Sequence, residues 1–175
     1  MPSRKILMII AHQGYQQIEY LIPKKTFEYV GFTVVTASNK AGLATAKDKS
    51  QAKVDITLDQ AIARDYAAII VVGGPGTLDN LDNPVTYQLL TEARDLNILL
   101  GAICIAPRIL AHASILTEVA ATGWDDDNQL SDIYTEYGVT YIQAPVVSDQ
   151  NIVTATGPSA AQDFADTIVS LLKNK

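Results

Sequence analysis

The chain has one cysteine, and its setting suits a nucleophile. In GAICIAPRILA (residues 101–111) an apolar run leads straight into Cys104, and Pro107 follows where a helix can open. Turning from strand to helix within a residue or two crowds the backbone. Small side chains are therefore needed two positions either side of the central residue, and Ala102 and Ala106 supply them. Such a turn lifts the reactive atom above the carboxyl ends of the strands and aims backbone N–H groups and the helix dipole at it. A thiol placed there is expected to ionise more readily than a free one, whose pKa is about 8.5. On composition alone a lone cysteine in an apolar stretch reads as a packed core residue; the small flanking residues and Pro107 favour the reactive reading.

Other segments carry groups able to serve that thiol. VVGGPGT (residues 71–77) ends an apolar run with Gly73 and Gly74, and glycines there let backbone N–H groups approach a ligand or oxyanion as readily as they make a plain tight turn. The segment lacks both dinucleotide-fingerprint spacing and a P-loop lysine, so a nucleotide is not expected. GYQQIEY (residues 14–20) sets Glu19 among Ile18, Leu21 and Ile22. It reads equally as a solvated helix position or as an inward carboxyl, which would take up a proton and donate a hydrogen bond to a thiolate. His112 lies eight residues after Cys104, roughly 12 Å along a helix. That is too far for direct pairing, and it reads as a surface or packing residue. His12 ends the first apolar run, on the edge where an α/β site forms, and is a candidate base as well as a polar loop-entry residue. GWDDDN (residues 123–128) clusters three aspartates without calcium-loop spacing and reads as a solvated acidic loop, although it could rim a pocket.

These groups need a scaffold, and the pattern predicts one. Apolar runs at 5–11, 32–37, 67–73 and 98–103 alternate with helical segments, as in βαβ units around a mainly parallel sheet covered on both faces. Shorter strands near 119–122, 145–148 and 151–155 are expected to extend that sheet. Ala161, Phe164, Ala165, Ile168, Val169 and Leu172 recur at helical spacing, with Ser159 and Gln162 forming a capping-box pattern before them. Asn83 and Pro84 read as N-cap and first residue of a helix to about residue 96. A further helix over 16–30 contains Pro23, which cannot donate to the Glu19 carbonyl, so a kink is expected there. Residues 39–55 read as an exposed connection or small hairpin, and 123–131 as a loop leading to a short helix.

A chain of 175 residues fits one domain over 1–175. With 48% hydrophobic and 18% charged residues, no segment is polar enough to call disordered. The net charge of −6 argues against a nucleic-acid partner, which needs clustered Lys and Arg. The basic pair before the first apolar run resembles the start of a signal peptide, but the run at 6–11 is only strand length and leads into His12 and Gln13, so a cytoplasmic protein without a membrane partner is expected. One cysteine makes no internal disulfide, and no Cys/His cluster has zinc spacing, so neither metal nor cofactor is expected.

Taken together, Glu19 before Ile22 and Pro23, Gly73 to Gly76 at a strand end, Ala102 to Cys104 at the elbow, Thr122 and Trp124, and TATGP from Thr154 to Pro158 resemble the ThiJ/PfpI superfamily over nearly the whole chain. The superfamily includes a parkinsonism-associated deglycase, PfpI-type intracellular proteases and general-stress proteins. The resemblance implies a flavodoxin-like three-layer α/β sandwich. It implies Cys104 as the reactive cysteine, Glu19 as the carboxyl that contacts it, and the N–H groups of Gly74 and Ile105 as oxyanion donors. His12, Gly73, Trp124 and Asp125 are candidates for the layer around them. Protease-like members have His directly after the nucleophile; this chain has Ile105, and no histidine follows His112, so peptidase activity is not expected. Three activities stay open. They are a cofactor-free glyoxalase or deglycase-type lyase or hydrolase acting on small aldehydes, a stress protein whose Cys104 is oxidised by peroxide, and a catalytically silent module. The resemblance further implies a homodimer or higher homo-oligomer.

Overall fold

Runs of apolar residues long enough for a strand, and too continuous to leave one face in water, belong in the middle of a parallel sheet. The computed structural model, which describes residues 4–174, bears this out. Its strands are β1 Lys5–Ile9, β2 Gln13–Tyr15, β3 Thr33–Ser38, β4 Gly42–Ala46, β5 Gln51–Val54, β6 Ile56–Thr57, β7 Ala68–Val71, β8 Leu99–Ile103, β9 Ala120–Ala121, β10 Thr140–Tyr141, β11 Val146–Asp149 and β12 Ile152–Ala155. Its α-helices are α1 Gln17–Tyr29, α2 Thr77–Leu81, α3 Pro84–Asp95, α4 Pro107–His112, α5 Leu130–Glu136 and α6 Ala161–Lys173. Residues 1–3 and 175 of the expected domain lie outside the described residues.

The main sheet has the order β11-β12-β8-β7-β1-β3-β6, and every neighbouring pair is parallel except β11 with β12. β7 and β8 are buried along their whole length. Helices flank the sheet: α1 packs with α6 and against β1 and β3, α6 also against β8 and β12, and α3 with α4 against β8. Gly101 in β8 has no room for a side chain, since a Cβ would lie 2.7 Å from Ile70 and 3.0 Å from Phe164 of α6. Among the described residues no helix is long and apolar enough to cross a membrane.

Two expectations are corrected. Residues 119–122 do not extend the main sheet. The antiparallel hairpin of β11 and β12 closes that edge, so Ala120–Ala121 pairs with β10 in a separate two-stranded sheet, and Asp149 of β11 accepts from the Ala120 N–H at 2.7 Å. The capping box at Ser159 is not formed. A 3-10 turn, Pro158–Ala160, precedes α6, whose N-cap is Ala160 with no side-chain cap bond. Residues 39–55 take the hairpin alternative: β4 and β5 pair antiparallel, and β2 joins them in a three-stranded sheet. Asn83, by contrast, caps α3 as expected, accepting from the Thr86 N–H at 3.3 Å with Pro84 behind it.

Capping supplies a test of these assignments. Asn83→Ala should lower the unfolding free energy by about 1 kcal/mol, while Ser159→Ala, at an exposed position with no cap bond to lose, should leave it within about 0.5 kcal/mol of the parent. Urea denaturation of both variants measures this.

Candidate active site

β7 and β8 lie side by side and end together, so the loops that follow them meet above the sheet. After β8 the chain reverses at Cys104, whose φ of +64° places it in the left-handed region that non-glycine residues seldom occupy. Tertiary bonds hold it there: the Cys104 N–H donates to the Ala155 carbonyl at 2.9 Å, and the Cys104 carbonyl accepts from the Trp124 N–H at 2.8 Å. Strain fixed in this way turns the thiol off the end of the strand toward the loop after β7.

That loop contributes backbone. Gly74 has φ +135°, and a Cβ on it would come within 2.5 Å of the Gly14 carbonyl oxygen and the Gln16 nitrogen. Gly73 is closed for another reason: a Cβ there would fall 2.6 Å from both the Cys104 Cβ and a Glu19 carboxylate oxygen, and 2.7 Å from the Ile103 carbonyl. The loop is joined to the start of α1 by the Gln16 N–H donating to the Gly73 carbonyl at 2.8 Å. Glu19, in the first turn of α1, is fully buried. Its Oε2 accepts from the Gly73 N–H at 2.9 Å, while Oε1 is buried and met by no N–H or O–H donor among the described residues.

The electrostatics follow from this burial. Desolvation pushes the Glu19 carboxyl up to about 7, against the opposing pull of the Cys104 thiol, the Gly73 N–H and the Lys47 charge. The Cys104 thiol is pushed up to about 12, first by burial and then by the charge and hydrogen bond of Glu19. The Ile105 and Gly74 N–H groups point at the sulfur and pull the other way. An elbow position alone therefore does not depress the thiol as expected from the sequence, because burial disfavours the thiolate and the carboxyl beside it opposes a second negative charge. The two groups titrate as a pair that gives up its first proton near neutrality and holds the second strongly.

Cys104, Gly74, Ile105 and Trp124 line a cavity of about 340 Å³, together with Gln16, Lys47, Pro75 and Pro158. The structure thus brings Cys104, Glu19, Gly73, Gly74, Ile105 and Trp124 together. Asp125 lies next door: its carboxylate accepts from the Leu130 N–H at 2.8 Å and the Tyr141 hydroxyl at 3.3 Å, and it lines a second cavity that shares Trp124. His12 is directed elsewhere, its Nε2 3.2 Å from the Ala41 carbonyl oxygen. His112 pairs with Asp82 at 2.8 Å and tilts against Tyr137. Among the described residues no group of three His, Cys, Asp or Glu side chains could hold a metal ion.

Sequence reasoning missed two cations. Lys47 sits after β4, in a hairpin whose approach to the cavity no motif announces. Arg108 is 4% exposed in α4 and binds Asp127 through two contacts of 3.0 and 2.7 Å, which holds the Asp127 carboxyl below its usual range. The acidic loop is therefore anchored at Asp127 rather than solvated throughout. A charged residue inside the apolar run PRILA was the available signal.

Comparison with known proteins fits this geometry. The DJ-1/PfpI family model matches residues 4–171. The deglycase PfpI of Pyrococcus furiosus is 27% identical, with 97% of this chain and 99% of that protein covered. The glutathione-independent glyoxalase DJR-1.2 of Caenorhabditis elegans is 25% identical over 98% of this chain and 90% of its own length. Among solved structures, a ThiJ/PfpI domain protein from Brachyspira murdochii superposes with a TM-score of 0.94 at 28% identity, covering 100% of this chain and 99% of that one.

Two outcomes follow from the paired site. Cys104 alkylation against pH should rise in two steps in the parent, the lower near 7, but in one step in Glu19→Gln, below the parent's upper step because no carboxylate opposes the thiolate. Superimposable profiles would show that the two groups do not share a proton. For stability, the folded Glu19 pKa is raised from 4.5 to about 7, so the favourable contribution of the bound proton is complete below 4.5 and lost as pH rises through 7. The parent should therefore lose up to about 3 kcal/mol relative to Glu19→Gln across that window, as read by urea denaturation at fixed pH.

Proposed function

We propose, on the premise that this chain belongs to the DJ-1/PfpI family, that it is a cysteine-dependent, cofactor-free enzyme converting small reactive aldehydes such as methylglyoxal or glyoxal to hydroxy acids. One observation carries the reading: a half-buried thiol and a fully buried carboxyl meet around Gly73, beside the Gly74 and Ile105 N–H groups, at a small cavity. The names of the similar deglycase and glyoxalase support the substrate class.

Above the lower titration step the pair carries one negative charge. As the Cys104 sulfur adds to the aldehyde carbon, the thiol proton passes to Glu19 and the carbonyl π electrons move to oxygen. The Gly74 and Ile105 N–H groups receive that charge. Glu19 returns the proton to the oxyanion, giving a hemithioacetal and regenerating the carboxylate. Glu19 then removes the carbinol C–H proton and the electron pair moves onto the neighbouring carbonyl oxygen as an enediolate; the carbinol hydroxyl proton passes to that oxygen, and Glu19 delivers its proton to the former carbonyl carbon, leaving a thioester of the hydroxy acid. Water cleaves the C–S bond, restoring the thiol; the sum is aldehyde plus water to hydroxy acid, with no external oxidant or reductant.

Peptide hydrolysis demands an acid for the amine leaving group, and the position after the nucleophile is Ile105. The reading takes the working protein as a cytoplasmic homodimer or larger homo-oligomer, acting on a small molecule rather than on nucleic acid or a membrane; the net charge of −6 supports the exclusion of nucleic acid.

Purified protein should produce lactate from methylglyoxal, Cys104→Ser should abolish this, and Glu19→Gln should lower kcat by about 10²-fold or more, with no cleavage of peptide substrates. Lactate no higher than in Cys104→Ser would sink the carbonyl reading. Intact mass after dilute peroxide would then separate a redox-responsive Cys104 from a silent protein.

A further inference from the structure

We propose that Arg108 is a positioning residue for the Cys104 cavity: locked by Asp127, its guanidinium holds Trp124 in place as the cavity wall. Residues 122–129 form no helix or strand, so no backbone ladder fixes Trp124. Its position depends on discrete bonds. The Trp124 N–H donates to the Cys104 carbonyl at 2.8 Å, the Trp124 carbonyl accepts from Arg108 Nη2 at 3.3 Å, and the guanidinium lies 5.4 Å from the centre of the indole ring. Arg108 is fixed in turn by Nη1 and Nη2 donating to the two Asp127 oxygens at 3.0 and 2.7 Å. These contacts close a circuit from Cys104 through Trp124 to Arg108, four residues further along the same turn and helix.

Packing alone does not call for a guanidinium here. Its neighbours Pro107, Ile109, Leu110 and Ala111 are all buried, and Arg108 Nε is buried with no acceptor among the described residues. A buried ion pair can often be exchanged for apolar side chains of similar volume at little loss of stability. What an apolar residue would not provide is the bond to the Trp124 carbonyl and the cation over the ring. With the wall held, the cavity keeps its volume and admits small molecules only; released, Trp124 swings outward and admits larger ones.

Trp124 is the chain's only tryptophan, so its fluorescence reports the wall directly. We expect Arg108→Met to fold with the parent's far-UV circular dichroism, a red-shifted emission and an acrylamide quenching constant at least doubled. Fluorescein maleimide should label Cys104 several-fold faster relative to iodoacetamide than in the parent, with the pH profile of iodoacetamide alkylation unchanged. Asp127→Asn, at the partly exposed end of the pair, should shift all readouts the same way by a smaller amount, and decides the matter should Arg108→Met fail to fold. Emission, quenching and labelling ratio all at parental values in a folded variant would overturn the proposal and leave Arg108 a buried structural pair. Only the kinetic arm rests on the carbonyl reading: the KM for methylglyoxal should rise several-fold with kcat held within about two-fold. Absence of lactate in the parent itself would count against that reading alone, since fluorescence and labelling test the wall without it.

Discussion

Three stretches of chain come into contact around the Gly73 α-carbon, and the geometry of the site depends on that closeness. The start of α1 brings the Glu19 carboxyl, the elbow after β8 brings Cys104, and the loop after β7 passes between them with a residue that has no side chain. Any Cβ at position 73 would have to displace the carboxyl, the thiol-bearing carbon or the Ile103 backbone, and the last of these is fixed in the sheet. The same glycine anchors the carboxyl with its N–H and the start of α1 with its carbonyl. Parallel strands ending at one level make the meeting possible, and the absent Cβ makes it close enough for a thiol and a carboxyl to influence each other.

From that proximity the electrostatics follow. Two acidic groups side by side, one fully and one partly out of water, resist carrying two charges, so the pair keeps one proton over a wide pH range. Gly73 N–H stabilises charge on oxygen, whereas Ile105 and Gly74 N–H stabilise it on sulfur. Between the two titration steps the proton rests on sulfur with the carboxylate beside it, an arrangement in which Glu19 takes that proton as sulfur adds to a carbonyl. The site is poorly suited to holding a permanent thiolate of the kind expected from the elbow motif alone.

The legible parts of the sequence were those written in local spacing. Continuous apolar runs gave the four central strands because both sheet faces are covered. Ala102, Ala106 and Pro107 gave the elbow because backbone crowding is a local demand. Asn83 with Pro84 marked a helix start for the same reason. What escaped depended on pairing between distant segments. Ala120 and Ala121 look like a strand, but which edge they join is decided by the β11–β12 hairpin some thirty residues later. Glu19 read equally as solvated or inward because its burial is set by Gly73, distant in sequence. Lys47 reaches the cavity only through the fold of the β4–β5 hairpin, and Ser159 failed as a cap because Pro158 had already committed the chain to a 3-10 turn.

The two histidines narrow the chemistry further. Both imidazoles are engaged away from the sulfur, His12 toward the Ala41 carbonyl and His112 with Asp82, and Ile105 presents an apolar side of the cavity where a base would otherwise stand. Proton transfer at the reacting carbon thus falls to a single carboxyl, which must act as base when sulfur adds, as acid for the oxyanion, and as base again at the carbinol carbon. A group with a pKa near 7 is matched to alternating roles of this kind, because neither protonation state is far from populated at neutral pH. The raised Glu19 pKa, a consequence of burial that weakens the folded state above neutrality, is the same property that lets one residue do the work of two.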